Sequence, residues 1–244
     1  MNYFLFALSL PLTLFAFTKG NEKILHFEEA KENLSIIHKD HLKTLYCGCS
    51  YTGKVIDLKS CGYKVHKNLK RALRLEWEHV VPAEAFGKAF VEWREGDPKC
   101  VFKKIKYKDR RCAKKNPLFA KMEADMYNLF PEVGELNGLR SNYSVAEIGF
   151  KNLTKKGITF GDCKAIIQDR KFEPMDASKG TVARTYMYMD MTYPGRGIIS
   201  DKNRPLYLAW DKLYPVQKWE CDRAKKIQLL QGNINPILEK QCGK

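Results

Sequence analysis

A glutamate and a histidine stand side by side in the segment 74–83, which reads RLEWEHVVPA. Residues 73–81 have the alternating, β-prone pattern of a strand, which Pro82 ends. Glu78 supplies a carboxylate, the kind of ligand that the hard cation Mg²⁺ prefers. The imidazole of His79 titrates near neutral pH and can take a proton from an attacking water molecule. The pair therefore has the parts that metal-assisted phosphodiester hydrolysis needs.

The pair is weak evidence when taken alone. Most Glu-His pairs on strands are surface or core residues without a catalytic role. Regular alternation also points neighbouring side chains to opposite faces of a strand. Glu78 and His79 can face one site only if the strand ends or bulges there, and the sequence Val80-Val81-Pro82 favours an end.

The elements that must position these residues are predicted from periodicity and from Pro and Gly. The sequence contains no internal repeat and no long linker, which favours one α+β domain with mostly helix. A second strand is expected over 163–172. Helices are expected over 22–46, 83–95, 117–127, 131–140, 178–192, 203–214 and 216–231, the last ending at Gly232.

Basic residues dominate the charge balance. The chain has 43 Lys and Arg against 28 Asp and Glu, a net charge of +15, which favours nucleic acid, anionic lipid or acidic glycan as a partner. Nine basic residues lie between Lys99 and Lys115. A run of this kind is usually only a solvated loop, but here a disulfide between the flanking cysteines could fix it in place. We expect it to contact phosphates. The residues expected to bind nucleic acid are Lys103, Lys104, Lys106, Lys108, Arg110 and Arg111, together with Arg140 and Arg184.

The N-terminus and the cysteines both predict export. Residues 3–17 are apolar but too short and interrupted for a membrane span, so 1–20 is predicted to be a signal peptide, although no Lys or Arg precedes its apolar stretch. The eight cysteines predict four disulfides in an oxidising compartment, with 105 connectivities open. Zinc is disfavoured because there is no CxxC pair. The cysteines are Cys47, Cys49, Cys61, Cys100, Cys112, Cys163, Cys221 and Cys242.

A second segment, 122–142, reads MEADMYNLFPEVGELNGLRSN. Together with RLEWEHVVPA it resembles the endonuclease I family of periplasmic and secreted bacterial nucleases. The resemblance continues in order through nearly the whole mature chain. The later matching segments are ARTY at 183–186, AWDK at 209–212, YPV at 214–216, WEC at 219–221 and GNINP at 232–236.

The resemblance implies a disulfide-stapled domain, residues 21–244, around a ββα-metal finger that grips one divalent cation: Mg²⁺, or another such as Mn²⁺ or Ca²⁺. Carried over by position, His79 is the general base, and Glu123 orients and polarises it. Glu78 and Asn137 are the metal ligands, and Asn128 is the structural asparagine of the finger.

The activity that the resemblance implies is hydrolysis of DNA without sequence specificity, with RNA left open. Water activated by His79 attacks, the cation stabilises the departing 3′-oxygen, and 5′-phosphate ends remain. The protein would be periplasmic or secreted. No stable protein partner is implied, and no membrane association after the signal is removed.

The chain departs from the family in three places. Residues 96–99 read GDPK where several members have Gly-Gly-Arg before the cysteine, so the arginine expected to stabilise the transition state is missing there and Lys99 offers only a point charge. The basic loop looks like an insertion, and Cys112 replaces a cysteine that the family places nearer Trp93. We therefore expect Cys112 to pair with Cys100. Leu139 stands where the family often has Asp.

Two other functions compete with this interpretation. One is a basic, cysteine-rich protein that binds nucleic acid or another polyanion without catalysis, but such a binder has no use for Glu78, His79 and Asn137. The other is a metallohydrolase that acts on protein or lipid. Against it, the sequence contains neither HExxH nor GxSxG.

Overall fold

The computed structural model describes residues 19–243, so residues 1–18 of the predicted signal peptide lie outside the described part. The helices are α1 (Phe27–Ile37), α2 (Leu69–Ala72), α3 (Ala83–Gly87), α4 (Val91–Arg94), α5 (Asp109–Ala113), α6 (Pro117–Glu123), α7 (Gly134–Arg140), α8 (Asp176–Thr192), α9 (Arg204–Leu213), α10 (Lys218–Gln231) and α11 (Pro236–Cys242). In the described range, no helix combines the length and the apolar character needed to cross a membrane.

The strands form small sheets, so the class is the predicted mixture of α and β. The strands are β1 (Ser50–Thr52), β2 (Val55–Asp57), β3 (Leu75–His79), β4 (Val101–Phe102), β5 (Ile105–Lys106), β6 (Leu129–Val133), β7 (Ser144–Val145), β8 (Ile158–Phe160), β9 (Cys163–Gln168) and β10 (Lys171–Glu173). One sheet has the order β7-β10-β9-β8, and β1-β2, β3-β6 and β4-β5 are separate pairs.

The pair of β3 and β6 carries the segment around Glu78 and His79. The two strands are antiparallel, from Leu75 opposite Val133 to His79 opposite Leu129. Helix α7 begins at Gly134, directly after β6. Strands β3 and β6 are far apart in sequence, but they pair with each other, and α7 follows β6 without a loop.

The side chain of Asn128 ties the two strands together beyond the ladder. It is fully buried, its Oδ1 accepts from the Val81 amide at 2.7 Å, and its Nδ2 donates to the Val81 carbonyl at 3.0 Å. The Val80 amide donates to the Asn128 carbonyl at 3.0 Å. The chain after β3 is thereby fixed to the residue that precedes β6.

Four disulfides cross-link the described part of the chain, as the even number of cysteines predicts. The expected Cys100–Cys112 bridge is confirmed. The other pairs are Cys47–Cys163, Cys49–Cys61 and Cys221–Cys242. No free cysteine remains in the described range.

Two predicted helices have different bounds in the structure. The first ends at Ile37 rather than at 46, because a short 3-10 turn follows and Lys43 then pairs with Ser50 as an isolated bridge. Pro131 does not open a helix but lies within β6 opposite Trp77. Proline is tolerated there because β6 belongs to a two-stranded sheet and is therefore an edge strand. Edge strands accept proline, whose nitrogen cannot donate a hydrogen bond.

Three further segments divide or shorten. The helix that begins at Pro117 with Asn116 as its cap ends at Glu123, and Asp125 then caps a 3-10 turn. The predicted helix 83–95 is two short helices, α3 and α4. The predicted strand 163–172 folds back on itself as β9 and β10, through a turn in which Asp169 and Arg170 have positive φ.

Replacing Asn128 with alanine tests how much this tie contributes. The Asn128→Ala variant leaves a buried amide and a buried carbonyl of Val81 without partners, so the free energy of unfolding should fall by about 2–4 kcal/mol. Chemical denaturation of the disulfide-intact protein measures it. Asn152→Ala is the control, because the exposed Asn152 also donates to a backbone carbonyl. Equal losses in the two variants would contradict the role given to Asn128.

Candidate active site

A cleft of about 880 Å³ opens beside the end of β3. Among the residues of the two sequence segments that line it are Glu78, His79, Asn137 and Arg140. Arg110 of the basic loop also lines it, whereas Lys99 does not. The fold therefore brings together residues from β3, α7 and the basic loop.

Glu78 and His79 share this cleft although their side chains contact different neighbours. Glu78 accepts hydrogen bonds from the Tyr46 hydroxyl at 3.1 Å and from Arg140 at 2.8 Å. The ring of His79 packs against Phe27 at a centroid distance of 4.9 Å. Both reach the cleft because β3 ends at His79, as the sequence favoured.

The hydrogen bond of His79 defines its tautomer. Its Nε2 lies 2.8 Å from the backbone carbonyl of Glu123. A carbonyl only accepts, so Nε2 carries the proton and Nδ1 keeps its lone pair. Within residues 19–243, Nδ1 has no hydrogen-bond partner. The acceptor nitrogen Nδ1 is therefore available to a molecule bound in the cleft that His79 lines.

Burial keeps this histidine neutral. It lowers the pKa of His79 to about 3, and the positive charge of Arg110 acts in the same direction. At neutral pH the ring is therefore uncharged, with one acceptor nitrogen. That is the form a general base must have before it takes a proton.

Glu123 contacts His79 through its main chain and not through its carboxylate. The buried carboxylate binds Arg110 at 2.5 Å and lies 3.4 Å from Lys114. The carbonyl can orient the imidazole. Direct polarisation of His79 by the carboxylate, which the resemblance implied, is not present in this arrangement.

Glu78 is buried, and the positive charge of Arg140 lies beside its carboxylate. Burial raises its pKa to about 7, while Arg140 and Tyr46 favour the ionised form. Both of these partners bind Oε1. The other oxygen, Oε2, has no hydrogen-bond partner in the described part of the chain.

The amide of Asn137 is oriented by a neighbouring glutamate. Its Nδ2 donates to Glu76 at 3.0 Å, and Glu76 is itself held by Arg71 and Arg74. This contact uses the nitrogen of the amide. The oxygen Oδ1 has no hydrogen-bond partner among residues 19–243 and belongs to a side chain that lines the cleft.

These two oxygens fit a hard divalent cation. A carboxylate and a neutral amide are ligands that Mg²⁺ accepts, and the remaining positions would be filled by water and phosphate oxygens. No group of three or more His, Cys, Asp or Glu suited to a metal occurs in the described range. A cation held by these two side chains alone would keep several coordination positions for water and phosphate oxygens.

Two arginines expected to contact nucleic acid are buried in ion pairs. Arg140 is fully buried and donates to Glu78, to the His79 carbonyl at 3.0 Å and to the Val80 carbonyl at 2.6 Å. Arg184 is 2% exposed and pairs with acidic residues of α9 and α10. Both guanidinium groups bind acidic side chains inside the protein, which corrects the expectation that they contact nucleic acid. Within residues 19–243, Nε of Arg140 has no hydrogen-bond partner.

The other predicted nucleic-acid residues remain at the surface, in the basic loop. Strands β4 and β5 form a hairpin there, followed by α5. Arg110 alone of these six is half-buried, at the cleft. The exposed residues are Lys103, Lys104, Lys106, Lys108 and Arg111.

Sequence reasoning missed several residues that support this site. Glu76 stands two positions before Glu78 on the same strand, so period-two spacing places both on one face and could have found it. Tyr46 and Phe27 contact the catalytic candidates through tertiary packing. No local pattern in the sequence indicates these two contacts.

Removing Arg140 should destabilise the protein strongly. In an Arg140→Met variant the buried Glu78 loses its ion-pair partner, and the free energy of unfolding should fall by about 3–5 kcal/mol. Adding Glu78→Gln should recover part of this loss, because the uncompensated buried charge is then gone. Denaturation curves of both variants measure the difference.

The matched control is Arg204→Met, which removes an ion pair between Arg204 and Asp190 in which the arginine is largely exposed. That pair should contribute less than about 1 kcal/mol. If Arg140→Met costs no more than this control, the buried ion pair does not hold the site together.

Known proteins resemble the chain over almost its whole length. The family model described as Endonuclease I matches residues 16–242. A periplasmic deoxyribonuclease of Aeromonas hydrophila is 39% identical over 243 residues, which cover 96% of this chain and 94% of the relative. An extracellular deoxyribonuclease of the same species is 40% identical, with 95% and 98% covered. An Endonuclease-1 of Buchnera aphidicola subsp. Acyrthosiphon pisum is 39% identical, with 91% and 83% covered. The chain therefore belongs to the endonuclease I family.

Proposed function

We propose that the protein is a periplasmic or secreted, metal-dependent endonuclease that hydrolyses DNA without sequence specificity. One observation carries the proposal. The cleft holds a neutral histidine whose Nδ1 has no hydrogen-bond partner among residues 19–243, together with two side chains that each have an oxygen without a partner in the same range. The names of the relatives, periplasmic and extracellular deoxyribonuclease, support DNA as the substrate and a location outside the cytoplasm.

The arrangement of β3, β6 and α7 supports assignment of a ββα-metal finger. The antiparallel pair presents Glu78 and His79 at the end of β3, and the following helix presents Asn137. Asn128 acts as the structural asparagine through its two bonds to Val81. Residues 21–244 form the nuclease domain in this proposal, after removal of a signal peptide over 1–20.

His79 performs the proton transfer. The oxygen of a water molecule bonds to phosphorus while its proton passes to Nδ1 of His79, and the bond from phosphorus to the 3′-oxygen breaks. One product then ends in a 3′-hydroxyl and the other carries the 5′-phosphate. The Glu123 carbonyl holds Nε2 throughout, so the ring keeps its orientation. A Mg²⁺, Mn²⁺ or Ca²⁺ ion held by Glu78 and Asn137 would stabilise the charge that develops on the phosphate and the leaving oxygen.

Four disulfides support export of this enzyme, because such bonds persist in oxidising compartments. The basic surface suits a polyanionic substrate. Neither feature selects DNA over RNA. We propose DNA on the names of the relatives and leave RNA as a second substrate to be assayed.

Plasmid cleavage tests the function directly. Purified mature protein with MgCl₂ should convert supercoiled plasmid to nicked and linear forms and then to fragments without a discrete pattern, and EDTA should stop the reaction. The same assay with single-stranded RNA shows whether RNA is cut. A plasmid that stays intact with Mg²⁺, Mn²⁺ and Ca²⁺ would favour the binding protein without catalysis.

Replacing His79 tests the general base. His79→Ala should lower the cleavage rate by about 10²- to 10⁴-fold, because the variant lacks the imidazole that takes the proton, while affinity for DNA in EDTA stays close to that of the wild type. His66→Ala is the control, since the His66 side chain is exposed and outside the cleft. Cleavage by His79→Ala at nearly the wild-type rate would exclude His79 as the base.

Replacing either proposed metal ligand should change the metal requirement. Glu78→Gln and Asn137→Ala should both raise the Mg²⁺ concentration that gives half-maximal cleavage, because each removes one oxygen ligand or its charge. Asn142→Ala is the control: this residue also lines the cleft, but its amide nitrogen binds Glu84. The metal assignment is wrong if Asn142→Ala alone shifts the requirement.

A further inference from the structure

The basic loop carries an exposed apolar pair that the proposed catalysis does not use. We call residues 100–112 the basic hairpin; they comprise β4, β5 and most of α5, closed by the Cys100–Cys112 disulfide. Phe102 lies directly opposite Ile105 in the ladder. Directly opposed residues share one face of a hairpin. The Phe102 residue is 67% exposed and Ile105 is 71% exposed.

The turn between the two strands consists of lysines in an unfavourable conformation. Lys103 and Lys104 have φ values of 49° and 65°. A two-residue turn with positive φ at both positions is normally built from Asn and Gly, because a Cβ atom is strained there. The chain therefore places two positive charges at the tip at the expense of local preference, which is typical of functional sites.

The hairpin is cross-linked at its base and adjoins the cleft. Beyond the disulfide, the Tyr107 amide donates to the Cys100 carbonyl at 2.9 Å. Arg110 of α5 lines the cleft and binds Glu123, whose carbonyl orients His79. Nucleic acid with its backbone in the cleft therefore passes beside the base of this hairpin.

We propose that the basic hairpin is a wedge that inserts Phe102 and Ile105 between stacked bases of duplex DNA, while its lysines bind the flanking phosphates. Apolar side chains carried by other DNA-binding proteins partly unstack base steps and kink the duplex in this way. The surrounding charges are Lys103, Lys104 and Lys106, which complement phosphates on both sides of an inserted pair. The wedge rests on the proposed function, because it assumes that DNA lies in the cleft.

Fluorescence of a base analogue tests insertion without cleavage. A short duplex that contains 2-aminopurine is titrated with the protein in EDTA, and unstacking raises its emission. The wild type should raise this emission. Phe102→Ser/Ile105→Ser should abolish the rise and weaken binding at least about 5-fold, the effect expected when one base is no longer stacked on the protein.

Salt dependence separates the apolar side chains from the charged ones. The Phe102→Ser/Ile105→Ser variant should keep the wild-type slope of log K against log salt, because it removes no charge. Lys103→Gln/Lys104→Gln should flatten the slope by about 0.9 for each phosphate that the variant no longer binds. A slope unchanged in the lysine variant would contradict the placement of the tip on DNA.

Two controls complete the test. Leu229→Ser/Leu230→Ser removes exposed apolar side chains of α10 that do not line the cleft, and it should bind like the wild type. Phe102→Leu/Ile105→Leu keeps apolar residues at the tip and should retain most of the affinity. Circular dichroism verifies that each variant is folded.

The wedge is refuted if the serine variant binds the duplex and raises the emission as the wild type does. It is also refuted if that variant loses only its affinity for phosphatidylglycerol vesicles, because the tip would then be a lipid-binding surface. Plasmid cleavage by the wild type in parallel keeps the two proposals separate. If the wild type cleaves plasmid but the serine substitutions leave DNA binding unchanged, only the wedge is wrong. If the wild type does not cleave plasmid, the proposed function is wrong.

Discussion

The site depends on one buried guanidinium group at the end of β3. Arg140, the last residue of α7, binds the Glu78 carboxylate and the carbonyls of His79 and Val80. It also donates to the Tyr186 hydroxyl of α8 at 3.3 Å. A charge fully removed from water must be paired and hydrogen-bonded. The requirement fixes α7, the helix that carries Asn137, against the end of β3.

A second buried carboxyl supports this arrangement from the other side. Glu132 accepts from the Tyr46 amide at 2.6 Å, and the Tyr46 hydroxyl donates to Glu78. Burial raises the pKa of Glu132 to about 8, so its protonated form is strongly favoured compared with an exposed glutamate. Burial acts oppositely on His79 and keeps it neutral. Removal from water therefore shifts the pKa of both groups toward their uncharged forms.

The sequence predicted the parts of this site whose signals are local. The Val80-Val81-Pro82 segment indicated the end of β3, and Asn116 with Pro117 indicated the start of α6. Pro131 misled because a proline opens helices and is tolerated equally in a strand that pairs on one side. Arg140 and Arg184 misled because charge in a sequence suggests the surface, and only tertiary packing supplies the buried partners Glu78 and Glu220. The pairing of Cys100 with Cys112 was predicted from the position of an insertion, whereas the three other disulfides depend on the fold.

The central claim is that one divalent cation binds between Glu78 and Asn137, beside Nδ1 of His79. Crystals soaked in Mn²⁺ and measured near the manganese absorption edge test it most directly, because the anomalous signal identifies the ion independently of activity. The account predicts one strong peak in the cleft, at roughly 2.0–2.4 Å from an oxygen of each of the two side chains, the range of hard-cation bonds to oxygen. A strong peak elsewhere, or no peak in the cleft, would contradict the account.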